Sequence, residues 1–366
     1  MNRQPEGAGV FISDCEGPIS KNDNAFELTK HFIPDGDYFF SLISKYDDVL
    51  AEVIRRPRYK AGYTLKLITP FLKAYGATND AIERYSAENI LLIQGAKNML
   101  NYIRKLMPSF IISTSYNQYI ASLCSATDFP NENVYCTILD LDKYTISEEE
   151  VKRLKILREE ITAYPMIEIP EGAKSLKDLS IKDQETVIRL DEIFWEEIMI
   201  MASGRILREV NPIGGEEKAK AIRRITKKVG SPLNNVVYIG DSITDVQAFC
   251  LVKEGGGLTL SFNGNRYAVQ SAEVAVLSKN AVVTSILIDL FFRFGREHVI
   301  RLAEVWSINT LEKFCVDETL IKKISKLDPD SFPKVEKITS ENMERIVKES
   351  SFFRKTVRGE AIGRLG

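Results

Sequence analysis

Three short apolar runs, far apart in the chain, each stop at a cluster of polar residues, and this pattern limits the fold more than any other feature. The first is residues 9–13 (GVFIS), halted by Asp14, Glu16, Gly17 and Pro18. The second is residues 110–114 (FIIST), ending in Ser113 and Thr114. The third is residues 235–239 (NVVYI), followed by a turn that carries Gly240, Asp241, Ser242 and Asp245. Uninterrupted apolar runs of this length, bounded by Gly and Pro, suit strands buried on both faces. Helical spacing separates them, through Tyr119, Ile120 and Leu123 and again over residues 218–228, and further strands are expected at 133–139, 255–262 and 273–277. Strands alternating with helices predict an α/β fold with a mainly parallel, doubly wound sheet. In such sheets ligands gather outside the carboxyl ends of the strands, so the three polar turns should meet in one place.

The rest of the chain is expected to elaborate that core, which is assembled from residues 1–20, 96–141 and 206–280. Residues 21–95 have helical periodicity broken at Pro34, Pro57 and Pro70, and read as a helical cap. Residues 142–205 are charged and helical, a second insertion. Residues 281–366 read as a C-terminal helical extension, helical throughout except for a break at 328–333. Within it an apolar set around Ile286, Leu290 and Trp306 suits core packing, with a homodimer surface as the other use.

Charge and residue usage exclude several functions. With 49 Lys plus Arg against 51 Asp plus Glu, no global field recruits nucleic acid or an anionic membrane surface, so a small-molecule partner is expected. No stretch approaches the roughly 18 apolar residues of a spanning helix, and the apolar run at 10–12 is too brief for a signal peptide; a cytoplasmic location without membrane insertion is expected. Five scattered cysteines with no C-x-x-C pair argue against a disulfide framework and a zinc site. His31 and His298 are too few for a three-histidine metal site.

The polar groups that remain match the needs of phosphoryl transfer: a nucleophile, a proton source, donors for the phosphate oxygens and a cation. Asp14 and Glu16 come from the first turn, Ser113 and Thr114 from the second, Asp241 and Asp245 from the third, and Lys218 from the helix before the third strand. A carboxylate and a phosphate dianion repel each other in a low-dielectric cleft, so a metal is required, and magnesium suits an all-oxygen site. Taken singly these residues say little. Acidic residues and hydroxyls cap helices, and most lysines on a helix face water, with Lys220 a register alternative to Lys218. Their order, each at a strand end, makes the case.

Asp14-x-Glu16-Gly17, then Ser113, then Lys218, then Gly240-Asp241 with Asp245 resembles the four-motif series of haloacid dehalogenase (HAD) superfamily phosphatases. Residues 218–225, 236–241 and 257–263 are most similar to phosphoserine-phosphatase-like members, and the whole chain resembles an archaeal group associated with energy-converting hydrogenases and read as HAD phosphatases. The resemblance implies a Rossmann-like core and a Mg2+-dependent phosphate monoester hydrolase acting on a small phosphorylated metabolite through a phosphoryl-aspartate. Asp14 would be the nucleophile. Asp14, Glu16 through its main-chain carbonyl, Asp241 and Asp245 would form the metal set, with Ser113, Thr114 and Lys218 on the phosphate. Glu16 would serve as acid and base, although most such phosphatases have aspartate there, and Pro18 replaces a small hydroxyl residue. Asp23, Arg56 and Lys60 are candidates for holding the rest of the substrate from the cap side. Two other uses of the fold stay open: a catalytically weak binding or assembly subunit of a larger complex, and a phosphotransferase or mutase.

Overall fold

The computed structural model of the chain describes residues 9–328 and 332–363. Its centre is a seven-stranded sheet made of β1 (Val10–Ser13), β2 (Ser109–Tyr116), β3 (Val134–Thr137), β4 (Val236–Gly240), β5 (Leu258–Phe262), β6 (Val274–Leu277) and β7 (Lys334–Lys337). The strand order is β3-β2-β1-β4-β5-β6-β7. Every pairing is parallel except β6 with β7. The order reverses at β1, whose two neighbours are β2 and β4, so the crevice of the sheet opens where the three polar turns emerge.

Both faces are covered. On one side the helices Ala96–Leu106, Asn117–Thr127 and Val282–Phe294 pack Leu100, Leu123 and Leu287 against Phe11, Val237 and Leu260. On the other the helices Glu216–Val229 and Val246–Glu254 bury Ile222, Ile225 and Phe249 against Val10, Ile12 and Tyr238. Alternate residues of β1 and β4 thus feed two separate cores, which is why these strands have no polar face. The helix Val282–Phe294 is core: Ile286, Leu287 and Leu290 are wholly buried.

A third core lies beyond the carboxyl ends of the strands. The helices Asn24–Phe32, Gly36–Asp48 and Thr69–Ala74 share it with the helices Glu148–Ala163, Ile181–Glu192 and Gly204–Glu209. Phe39, Phe71 and Phe194 meet there edge to face, at centroid distances of 4.8 Å for the first pair and 6.1 Å for the second.

One expectation fails. The chain is not helical throughout after residue 281, because β7 adds an antiparallel edge to the sheet, registered from Val274↔Lys337 to Leu277↔Lys334. Its sequence, KVEK, offers a single inward apolar residue, Val335, so the strand is held by its backbone ladder and carries little of the apolar signal that marks a strand. Lysines at both of its ends also discourage further strand addition. Among the described residues no helix is long and apolar enough to cross a membrane.

Candidate active site

Asp14 is the first residue beyond β1, and its N–H donates to the Ile239 carbonyl of β4 at 2.7 Å, so the two strand ends are tied together at the nucleophile candidate. Lys218 lies in the buried stripe of its helix with Ile222 and Ile225, a position for an apolar residue, and its whole side chain is buried. Lys220, the register alternative, points outward to Glu217 at 3.0 Å. The Lys218 ammonium reaches Asp14 Oδ2 at 2.6 Å and Asp245 Oδ1 at 2.7 Å. Asp245 is held further by the Tyr238 hydroxyl at 2.5 Å and by the N–H groups of Asp241 and Ser242 at 2.9 and 3.0 Å.

These contacts order the protonation states. Burial, aided by Asp245 and Asp241, raises the Asp14 carboxyl to about 8 against the pull of Lys218. Burial also works against charge on Asp245 and Lys218. For Asp245, the ammonium, Tyr238 and the Ser242 N–H outweigh it and hold the carboxyl below its ordinary value; for Lys218, the two carboxylates outweigh it and raise the ammonium's pKa. Glu16 accepts from the Asn24 N–H at 2.7 Å, and burial with Asp23 beside it pushes its carboxyl well above the usual range.

Asp14, Asp241 and Asp245 each offer an oxygen within 4.8 Å of the others, an all-oxygen donor set that fits magnesium. The approach of the first and third turns depends on Gly17. Its φ is +99°, and a Cβ there would sit 2.2 Å from Asp241 Oδ2, so no larger residue lets the two loops touch.

A cavity of about 100 Å³ opens on these groups, walled by Asp14, Glu16, Asp23, Thr114, Asp241 and residues of the helical layer. That volume is well below the roughly 300–1,000 Å³ of sites for drug-sized ligands and suits a small ligand. From the helical layer come Phe40, Ser44, Asp47, Asp48 and the segment Gly62, Thr64 and Leu65. Asp47 orders this segment by accepting from the Gly62 N–H at 3.0 Å, the Thr64 N–H at 3.1 Å and the Thr64 hydroxyl at 2.9 Å.

The structure does not bring all the expected residues to the wall. Thr114 lines the cavity, whereas the Ser113 hydroxyl is buried and accepts from the Ser115 N–H at 3.1 Å. Asp23 lines it while capping the helix Asn24–Phe32 through the Phe26 N–H at 3.1 Å. Arg56 and Lys60 stay outside: Arg56 forms a two-pronged pair with Asp191 at 2.7 and 3.0 Å, and Lys60 pairs with Glu217 at 2.5 Å. Cys15 is wholly buried in the core behind the loop.

Two wall residues were not anticipated. Arg354 and Arg358, on the helix Met343–Arg358, both donate to Asp241 Oδ2, Arg358 at 2.9 Å. The signal that could have found them is their spacing: four apart, they continue the buried stripe of Ile346, Val347 and Ser350, where a cation needs a partner.

Comparison with known proteins follows the same lines. A family model described as haloacid dehalogenase-like hydrolase matches residues 60–285. No curated protein matches the chain. Among solved structures, the gene product AF1437 from Archaeoglobus fulgidus is 28% identical, with a TM-score of 0.80 over 98% of this chain and 99% of its own. A substrate-bound phosphoserine phosphatase complex is 10% identical, with a TM-score of 0.44 over 77% of this chain and 98% of its own. A phospho-aspartyl intermediate analogue of phosphoserine phosphatase is also 10% identical, with a TM-score of 0.41 over 74% and 93%.

Proposed function

The chain belongs to the haloacid dehalogenase-like hydrolases, and on that premise we propose that it hydrolyses a small phosphate monoester through a phosphoryl-aspartate. The observation that carries this reading is the buried chain Asp14–Lys218–Asp245 at the carboxyl ends of β1 and β4. An aspartate is held there beside a fixed cation that favours its ionised, nucleophilic form against burial.

In the first step an Asp14 oxygen forms a bond to phosphorus while the bond to the leaving oxygen breaks. Glu16, whose carboxyl burial pushes well above the usual range, gives a proton to the leaving oxygen. In the second step water attacks phosphorus, its proton passes to Glu16, and Asp14 and inorganic phosphate are released. Lys218 holds Asp14 in line and offsets charge on the phosphoryl oxygens, and Thr114, on the cavity wall with its hydroxyl on the Ile213 carbonyl at 3.1 Å, is the candidate donor to those oxygens. Asp14, Asp241 and the Glu16 main-chain carbonyl would hold magnesium, with Asp245 orienting its shell; the ion supplies the charge shielding that lets a carboxylate approach a phosphate.

The test is magnesium-dependent phosphate release from a panel of small phosphate monoesters, comparing native protein with Asp14→Asn. Release that requires both magnesium and Asp14 is expected, and undiminished release by the variant refutes the reading. The pairing of Asp241 with Arg354 and Arg358 favours a second reading, a HAD-fold binding or assembly subunit with weak chemistry. Absence of release from every compound would favour it.

A further inference from the structure

Each of the three carboxylates of the candidate metal site is already paired with a cation. Lys218 pairs with Asp14 and Asp245, while Arg354 and Arg358 pair with Asp241. A divalent cation entering alone adds two positive charges beside these three cations, and a phosphate dianion alone adds two negative ones beside these carboxylates and the Glu16 and Asp23 carboxyls of the same wall. Entering together, they cancel.

The two arginines are not equivalent. Arg358 is fully committed, with Nη1 on Asp241, Nε on the Lys21 carbonyl at 3.0 Å and Nη2 on the Asn22 carbonyl, so it staples the loop after Asp14 to the third turn. Arg354 donates only through Nη1, to Asp241 Oδ2 and, at 3.2 Å, to the Asp241 carbonyl. Its Nε is buried without a partner, although the side chain lines the cavity and is 4% exposed. A buried guanidinium N–H without an acceptor is costly, and such a group at a cavity wall is placed for a ligand.

We propose that Arg354 is a phosphate-binding residue of this site, parked on Asp241 until the anion arrives, and that it makes magnesium and phosphate bind as a pair. The inference rests on the phosphatase reading above and adds a residue the four motifs do not contain. When the pair enters, Asp241 turns to the metal and the Arg354 guanidinium turns to the phosphoryl oxygens, which accept two parallel N–H bonds. Because coupling between two ligands is reciprocal, each should raise the affinity of the other by the same factor.

Calorimetric titration tests this without turnover, using magnesium and inorganic phosphate on the full chain. In the native protein, saturating phosphate should tighten magnesium at least tenfold. Arg354→Gln removes the charge and keeps a hydrogen bond to Asp241: magnesium alone should then bind at least tenfold tighter, and phosphate at least tenfold weaker. Arg354→Lys, which keeps the charge, should stay within threefold of native for magnesium alone. If Arg354 merely steadies Asp241, Arg354→Gln weakens magnesium instead, and the proposal is overturned. Should Arg354→Gln fail to fold, the native protein decides, since equal magnesium affinity with and without phosphate overturns it too. Native binding of both ligands with no effect of Arg354 sinks this inference and leaves the phosphatase reading intact; loss of magnesium-dependent phosphate release sinks that reading first.

Discussion

Replacing Lys218 by methionine isolates the electrostatic centre of the site. The side chain is wholly buried and touches Asp14 and Asp245 at 2.6 and 2.7 Å, and methionine fills much of the same space without the charge. Removing one partner of a buried ion pair costs about 3–5 kcal/mol, because the carboxylates left behind are both buried and unmatched. For a chain of 366 residues, at roughly 2 °C per kcal/mol, the unfolding midpoint should fall by about 6–10 °C. The loss should be deeper at pH 8 than at pH 6. Asp14 stands at about 8 with Lys218 lowering it; without that cation its carboxyl moves higher still, so as pH rises the folded variant keeps a proton that the native site and the unfolded chain give up, and it loses stability relative to native. Thermal unfolding of native protein and Lys218→Met at both pH values, in chelator, measures this. A loss under about 1 kcal/mol at pH 8 would mean that water reaches the pair, and the buried-relay argument for Asp14 would fall.

Two other perturbations follow from the geometry. Gly17→Ala places a methyl against Asp241 Oδ2 at a φ of +99° and should cost at least about 2 kcal/mol together with most of the phosphate release; a variant as stable and active as native would show that the first turn moves freely away from the third. Asp47, raised to about 7 by burial and by Asp48, binds a proton in the folded state that the unfolded chain loses near 3.8, so it makes stability fall as pH rises between those values. Asp47→Asn should remove that part of the pH dependence, a slope of up to about 1.4 kcal/mol per pH unit, and equal slopes in urea titrations of the two proteins would refute it.

The legible parts of this molecule were those written locally. β1, β2 and β4 announce themselves because a strand buried on both faces must be apolar throughout, and the residue that ends such a run must be polar to have a use. Asp14, Asp241 and Asp245 therefore stand out, and topology brings them together with no further information. β7 was missed because an edge strand needs a backbone ladder more than an apolar sequence. Arg354 and Arg358 were missed because nothing near residue 354 speaks of Asp241; only a helix docked across the sheet's end makes the contact. Arg56 and Lys60 illustrate the reverse. A basic cluster beside a cap suggests anion binding, yet Asp191 and Glu217, far along the chain, claim both cations.

The contact between Asp241 and the helix Met343–Arg358 also sets a schedule. Arg354 lies 113 residues after Asp241 and Arg358 lies 336 residues after Asn22. At roughly 5–20 residues per second of synthesis, Arg354 and Arg358 follow the third acidic turn by about 6–23 s. Until then, of the three cations paired with Asp14, Asp241 and Asp245, Lys218 alone has been made. A chain cut before residue 354 would therefore lack both of the cations that pair with Asp241.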